Sequence, residues 1–311
     1  MSCSCGTPTL PLSPPNRLRR NPNPRFCSRI PASLSSISSS SSSSLKITIF
    51  GDSQRLQNRP RISPKSSILD LPLLPFELDE VLVPSESKTL HLYEARFLAL
   101  LEESLARKKL FVHFVLEPVL TSRSSVEASF AARYGCLVLI ENVERLEIGA
   151  LVSIRGIGRV TIVKFIEVEP YIRGAVIPLR DNIPDCMGDI NSVVKELKDA
   201  LYDLNSLEIK LKESKDEPLQ TRVKNSVSWA EREMLADCFE AFVPTLAERM
   251  SFAALQPVSG STGSELLKLQ KEKLQAMDLK DTSERLAYSV KFVKQNIALV
   301  AAKLAIQSIE A

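Results

Sequence analysis

The chain has 311 residues, of which 44% are hydrophobic and 25% charged, the composition of an ordinary globular protein of about two domains. It contains no run of about 18 uncharged apolar residues, so we expect no membrane span. Residues 1–66 carry ten basic and one acidic side chain, whereas residues 67–311 carry 30 basic and 36 acidic ones. The mildly acidic remainder disfavours nucleic acid as the main partner.

The N-terminal segment, residues 1–66, is rich in Ser and Pro and includes an unbroken serine run, Ser38–Ser44. Such a segment cannot bury enough apolar surface to offset its chain entropy, so we predict that it is disordered. It is basic and nearly free of acidic residues, as organelle transit peptides are. Four prolines among its first fifteen residues would break the early amphipathic helix of a mitochondrial presequence. We therefore predict a chloroplast transit peptide and a stromal location, with the mitochondrion as the alternative; a plain disordered tail is the other interpretation.

Residues 67–182 show mostly strand patterns, interrupted by one helix. Leu71–Phe76 is a short apolar run with two prolines, which predicts an edge strand. Near Glu94–Arg107, the spacing of Phe97, Leu98, Leu101 and Leu105 predicts a helix with one apolar face. The other predicted strands are Val81–Val83, Thr89–Leu92, Leu110–Leu116, Gly135–Ile140, Leu151–Ile154, Val160–Val168 and Tyr171–Ile177.

Three connections in this part are predicted from their turn-forming residues. The stretch Arg155–Arg159 contains two glycines and is interpreted as a turn between two strands. Thr121–Arg133 is serine-rich and predicts a long loop, and Pro170 predicts a bend. Six or more short strands with one internal helix are typical of a β-rich, barrel-like domain.

Residues 183–311 are predicted to be helical. The first helix is expected over Asp189–Lys212, followed by a charged connector, Glu213–Asn225. Ser228 with Glu231 matches a capping box and predicts a helix reaching about Phe242. Pro244 marks a further helix start, and the capping pattern recurs at Thr262–Glu265 and Asp281–Glu284.

The last predicted helix runs to about Ser308 and carries one continuous apolar stripe. Its members alternate spacings of four and three, which favours the inner face of a helical bundle, with a partner helix as the alternative. The stripe comprises Leu286, Val290, Val293, Ile297, Val300 and Leu304.

The His and Cys residues of the sequence form no catalytic or metal-binding pattern. The only histidines, His91 and His113, lie in apolar, strand-like contexts without a G-x-S-x-G motif, which favours structural roles. The six cysteines are scattered without a C-x-x-C pair, so neither zinc nor redox chemistry is indicated. Three of them, Cys136, Cys186 and Cys238, fit a reducing compartment. We predict no catalytic residues, no metal site and no cofactor.

Phosphate-binding patterns are also weak. The sequence contains no G-x-x-x-x-G-K-[ST] motif, and Gly156-x-Gly158 is followed by Thr161 where a dinucleotide fingerprint has its third glycine. The loop Ser259–Ser264 leads into a helix N-terminus that could hold an anion, but a cap and connector is the favoured interpretation.

Several motifs occur in an order that resembles the N-terminal, substrate-binding domain of Lon proteases. The opening run Leu71–Phe76, then Val83-Pro84, then Leu90–Phe97 resembles the family pattern "LPLFPL…VLFPG…LPLHIFEPRY". Gly158-Arg159 and Glu169–Val176 resemble the later strands of the family, and Ser283–Leu286 resembles the start of its last long helix. The resemblance is closest to short plastid proteins that carry this domain alone. One departure is Ser85, where the family has glycine, so the turn there could differ.

The resemblance implies an α+β fold: a β-rich, PUA-like pseudo-barrel over residues 67–182, then a helical bundle over residues 183–311. It also implies a non-enzymatic module that binds unfolded or client polypeptides, as an adaptor or regulator of proteolysis with a plastid protease as a second partner. The AAA+ and Ser–Lys peptidase motifs of full Lon proteases do not occur in the sequence. The alternatives are a component of ATP-dependent proteolysis and a small-ligand or RNA-binding barrel. The sequence assigns neither the contacting residues nor an oligomeric state.

Overall fold

The computed structural model describes residues 46–49, 68–119, 129–182, 187–213, 219–232 and 239–310. In these ranges, seven strands form one sheet, and six α-helices lie around it or follow it. The strands are β1 (Lys46–Ile49), β2 (Leu69–Phe76), β3 (Ser87–Leu92), β4 (Leu110–Val119), β5 (Ser129–Arg145), β6 (Ala150–Glu167) and β7 (Arg173–Pro178). The helices are α1 (Ala95–Ala106), α2 (Met187–Glu213), α3 (Arg222–Ala230), α4 (Leu246–Ala253), α5 (Gly263–Asp278) and α6 (Thr282–Glu310).

The sheet closes on itself. Its strand order is β1-β5-β4-β2-β7-β6-β3, and an additional pairing of β5 with β6 completes a ring of β5, β4, β2, β7 and β6. β3 adds to β6 outside this ring, and β1 adds to β5. The predicted α+β fold, a β-rich barrel with one internal helix followed by helices, is confirmed.

The prediction that Leu71–Phe76 is an edge strand is wrong. β2 lies inside the sheet between β4 and β7, but each of its halves pairs on one side only. Leu69–Pro72 pairs with β7, and Leu73–Phe76 pairs with β4. Each half of β2 therefore has one side without a pairing strand. On that side no backbone hydrogen bond is needed, so proline, which has no N–H to donate, is accommodated in an interior strand.

The predicted turn at Arg155–Arg159 is also wrong, because this stretch lies within the continuous strand β6. The glycines are needed for close approach instead. A Cβ on Gly156 would lie 2.3 Å from the carbonyl oxygen of Val83, and one on Gly158 would lie 2.5 Å from that of Phe242. The register against β5 shifts between these glycines, so Ile157 forms a bulge.

Two other strand and loop assignments are corrected. Val81–Val83 is not a strand, because the Val83 backbone bonds across a turn to Glu86. The predicted loop Thr121–Arg133 ends earlier than expected, because β5 already pairs with β4 from Ser129 onward. The rest of that loop, residues 121–128, lies outside the described residues. The bend at Pro170 is confirmed.

One short strand lies in the segment predicted to be disordered. β1, at residues 46–49, runs parallel to the start of β5, so the disorder predicted for residues 1–66 does not hold for these four. Backbone pairing orders a strand without requiring a large apolar side-chain content. The remainder of residues 1–66 lies outside the described residues, and the transit peptide stays a prediction.

The position of Ser85 explains the departure from the Lon pattern. Its φ is +68°, in the left-handed region that glycine adopts most readily, so the tight turn is kept. The Ser226 hydroxyl donates hydrogen bonds to Oγ of Ser85 at 2.8 Å and to its carbonyl oxygen at 3.1 Å. Arg155 Nη1 donates to the same carbonyl at 3.0 Å. These bonds stabilise Ser85 in the left-handed backbone conformation, which residues other than glycine rarely adopt.

Two of the three predicted capping patterns lie at helix starts. The Thr262–Glu265 capping box is confirmed at α5, and the Asp281 carboxylate accepts from the amides of Ser283 and Glu284 at the start of α6. The capping box at Ser228 is wrong: α3 begins after Thr221, whose hydroxyl accepts from the Lys224 amide. The earlier start places Val227 and Trp229 on the buried face of α3.

The helices and the barrel share one large hydrophobic cluster. It joins barrel residues such as Phe114 and Leu137 to Leu197 and Leu201 of α2 and Leu286 of α6. The stripe of α6 packs into it, which confirms an inner face of the helical part. No helix within the described ranges is long and apolar enough to cross a bilayer.

Candidate functional site

The two histidines lie in different surroundings. His113, on β4, is fully buried and stacks on Phe76 with ring centroids 3.9 Å apart. Burial lowers its pKa well below the ordinary value, and the positive charges of Lys88 and Lys273 act in the same direction. His113 is therefore a neutral ring within the core of the barrel.

His91 lies on the outer face of β3, and its Nε2 is 3.2 Å from the carbonyl oxygen of Ile148. Its ring centroid is 5.6 Å from that of Tyr93. Ile148 belongs to the tight turn between β5 and β6, where Gly149 has φ +85° and its α-carbon faces the backbone of Leu92 and Tyr93. The strand β3 and the β5–β6 turn are thus held together at one end of the barrel.

An exposed apolar group gathers around this contact. The register places His91 opposite Leu151 of β6. Tyr93 follows the last residue of β3, and its ring lies against that of His91. Tyr93, Leu146 and Ile148 are exposed, and Ile148 keeps 75% of its accessible surface. Solvent-exposed clusters of this kind often mark interaction sites. We call His91, Tyr93, Leu146, Ile148 and Leu151 the hairpin-tip surface.

The surroundings of the hairpin-tip surface add a terminal strand of the described sheet and negative charge. Within the described part of the chain, β3 pairs with β6 alone, so it forms an edge of the sheet. Glu144, opposite Leu151, and Glu147 in the turn are exposed, and no ion pair is seen for either among the described residues. The edge and the tip together can add an extended polypeptide and contact its apolar and basic side chains.

A second group of charged side chains is buried where the barrel meets the helices. Arg159 of β6 and Arg285 of α6 both pair with the Asp181 carboxylate, and Arg159 Nη2 lies 3.2 Å from Glu248 Oε1. Burial alone would raise the pKa of Asp181, but the hydrogen bond and charge of Arg285 and the charge of Arg159 lower it. Burial and the neighbouring Asp181 raise the pKa of Glu248. Each of these four side chains forms an ion pair with another member of the group, so the group joins the barrel to the helices.

A further buried ion pair lies at the same junction. Lys273 of α5 donates to Glu86, beside the Ser85 turn, at 2.6 Å. Burial lowers the pKa of Lys273, and the Glu86 carboxylate opposes this shift. The sequence analysis did not predict these ion pairs, because a charge pattern along the chain does not reveal pairs so distant in sequence. Arg159 appears in the sequence analysis only as part of a predicted turn and of the family resemblance, and neither predicts its ion pairs.

Within the part of the chain that the structure describes, the remaining candidate residues do not converge on a metal-binding site. Cys136 is buried on β5, and burial raises the pKa of its thiol. Cys186 and Cys238 lie outside the described residues, so the scattered cysteines cannot be compared in space. Among the residues that the structure describes, no three His, Cys, Asp or Glu side chains converge as metal ligands. The Ser259–Ser264 loop leads into the α5 cap, where Lys303 Nζ donates to the Gly260 carbonyl and pairs with Glu265.

Comparison with known proteins identifies the family. The model of the ATP-dependent protease La (LON) substrate-binding domain matches residues 70–293. The N-terminal domain of the Mycobacterium avium complex Lon protease is 16% identical with a TM-score of 0.39, over 73% of this chain and 98% of that one. A Lon N-terminal domain protein from Xanthomonas campestris is 17% identical with a TM-score of 0.36, over 71% of this chain and 96% of that one. No curated protein sequence matches the chain. Because the family match extends from β2 into α6, the chain belongs to the Lon substrate-binding domain family.

Proposed function

We propose that the protein is a non-enzymatic module that binds extended segments of client polypeptides at the hairpin-tip surface and the β3 edge. The observation that carries the proposal is the position of an exposed apolar turn directly beside a strand edge. Main-chain hydrogen bonds to an edge strand provide affinity for any extended sequence, and neighbouring side chains select among them. Binding of this kind requires no reaction.

The carboxylates near the tip narrow the class of client. Glu144 lies opposite Leu151 and Glu147 precedes Ile148 in the turn, so segments that combine apolar with basic residues fit the surface best. The surplus of acidic residues over 67–311 points away from nucleic acid as a ligand.

The cellular setting of the proposal rests on the composition of residues 1–66. We propose that they direct the protein to the chloroplast stroma, where it acts as an adaptor or regulator for proteolysis. A stromal protease is the second partner in this scheme, because the family to which the chain belongs is named for the substrate-binding domain of a protease.

The test uses the full chain and a permanently unfolded probe, reduced and carboxymethylated α-lactalbumin carrying a fluorescent label. Replacing both turn residues, Leu146→Ser with Ile148→Ser, should weaken binding about tenfold, because exposed apolar anchors dominate such interfaces. The matched control, Leu246→Ser with Leu267→Ser, removes two exposed leucines from the helical part. Anisotropy titrations should show the control within about twofold of the parent. An equal loss in both variants would contradict a site at the hairpin tip.

A further inference from the structure

The short strand β1 occupies a second strand edge, at the start of β5. Its four residues pair in parallel register, Lys46 with Ser129 through to Ile49 with Ala132. β1 also contacts β6. It therefore lies between β5 and β6, which pair with each other elsewhere in the sheet. We call the gap between the unpaired parts of these two strands the seam.

The seam exists because β5 and β6 separate. Their pairing ends at Gly135 and Val160, where a Cβ on the glycine would lie 2.6 Å from the Val160 carbonyl oxygen. Beyond that point β6 pairs with β7, and the first part of β5 pairs with β4 on its other side. Without β1, the backbone of Ser129–Ala132 would present an unpaired edge toward the seam.

The stretch of β6 that borders the seam carries exposed apolar side chains. Val163 and Ile166 each keep 47% of their accessible surface. Both lie at positions where the register between β6 and β7 shifts, and such bulges turn side chains away from the regular face. An extended chain lying in the seam would have apolar groups within its reach as well as a strand edge.

We propose that the β5 edge at Ser129–Ala132 is a docking site for an extended polypeptide segment, and that β1 is its intramolecular occupant. The inference rests on the proposed polypeptide-binding function and adds a second, occupied edge to it. The occupant fits a segment in which β-branched residues dominate, as in Lys46-Ile47-Thr48-Ile49. Four residues form a short ladder, so a client can displace them in a local opening. Removal of residues 1–66 as a transit peptide would vacate the same edge.

The experiment releases β1 within the full chain and measures binding of a labelled synthetic peptide with the sequence of residues 44–51. The variant combines Ile47→Pro with Thr48→Pro. Successive amides of a strand point to opposite sides, so one of the two lost donors faces β5 whichever way the ladder runs. The control combines Ser41→Pro with Ser42→Pro, which lie before β1 in the chain.

The released variant should bind the peptide at least about tenfold more tightly than the parent and the control, because the internal occupant reduces the competent fraction. Bound peptide should also slow hydrogen exchange of the amides in Ser129–Ala132. Equal affinities, or binding that leaves these amides unprotected, would overturn the inference. If the released variant does not bind the peptide more tightly than the parent but still binds unfolded α-lactalbumin, only the β5 edge proposal fails. If it binds neither probe, both proposals fail.

Discussion

At the scale of single residues, Asp181 determines how the barrel and the last helix are joined. Its carboxylate is the shared partner of Arg159 and Arg285, and the Thr282 hydroxyl donates to it as well. Both guanidinium groups are inaccessible to solvent. If the Asp181 carboxylate were removed, water could therefore not solvate them in its place. Removing one partner of a buried ion pair strongly destabilises the fold, because the other partner is left as an uncompensated buried charge.

Asp181→Asn should therefore lower the free energy of unfolding by about 3–5 kcal/mol near neutral pH. The pKa of Asp181 is lowered in the folded protein, so its contribution is present above the pKa of the unfolded chain. The contribution disappears as pH falls through the folded pKa, and the difference between variant and parent should shrink there. Urea unfolding across this range measures it. Asp278→Asn, which removes an exposed partner of Arg133, should change stability by less than about 1 kcal/mol.

Glu248→Gln in the same network should behave in the opposite way with pH. The pKa of Glu248 is raised in the folded protein. The free energy of unfolding of the parent therefore falls as pH rises through that pKa and the carboxylate ionises. A neutral amide avoids this loss and can still accept from Arg159. The variant should gain stability relative to the parent as pH increases across that window, as measured by urea unfolding. If the stability changes caused by Asp181→Asn and Glu248→Gln varied with pH in the same direction, the opposite pKa shifts assigned to the two carboxylates would be wrong.

At the scale of elements, the sequence identified most helices and strands but misjudged how they continue. α1 and α6 were predicted from apolar spacing and capping residues, which are local properties of the chain. β6 was divided at Gly156 and Gly158, because glycines in a strand resemble a turn when their neighbours in space are unknown. β2 was assigned to an edge for the same reason, since its prolines reveal nothing about which half pairs with which strand.

Two Gly→Ala variants distinguish close approach from conformational freedom. Gly156→Ala should destabilise the protein by about 1–3 kcal/mol, because the new methyl group would meet the Val83 carbonyl at 2.3 Å. Gly263→Ala, in the first turn of α5, meets nothing within 4 Å and should stabilise by about 0.5–1 kcal/mol. Urea midpoints measure both effects. Stabilisation by both substitutions would mean that β6 does not approach Val83 as described.

At the scale of the whole molecule, the shared core bears on the predicted division between residues 182 and 183. One hydrophobic cluster contains strands and helices from both sides of that boundary, and the buried pairs of Arg159 and Lys273 cross it. Parts that share a core and buried charges are expected to lose them together. The division into domains stays a prediction of the sequence that unfolding can test.

The protein should therefore unfold in a single transition. Trp229 is the only tryptophan, and it is buried on α3 in the shared cluster, so its fluorescence reports on the helical part. Far-ultraviolet circular dichroism reports on strands and helices together. The two urea curves should coincide. Two separated midpoints would support independent domains with a boundary near residue 182.

Local sequence patterns were enough to predict the fold class, the order of most elements, the capping of α5 and α6, and a resemblance that the family match bears out. These depend on periodicity, caps and motifs, which are written along neighbouring residues. Four features became visible only in the folded protein: the closure of the barrel, the place of β1, the hairpin-tip surface and the ion network around Asp181. Each of these joins residues far apart in the chain, and their pairing depends on the packing of the whole fold rather than on local preference.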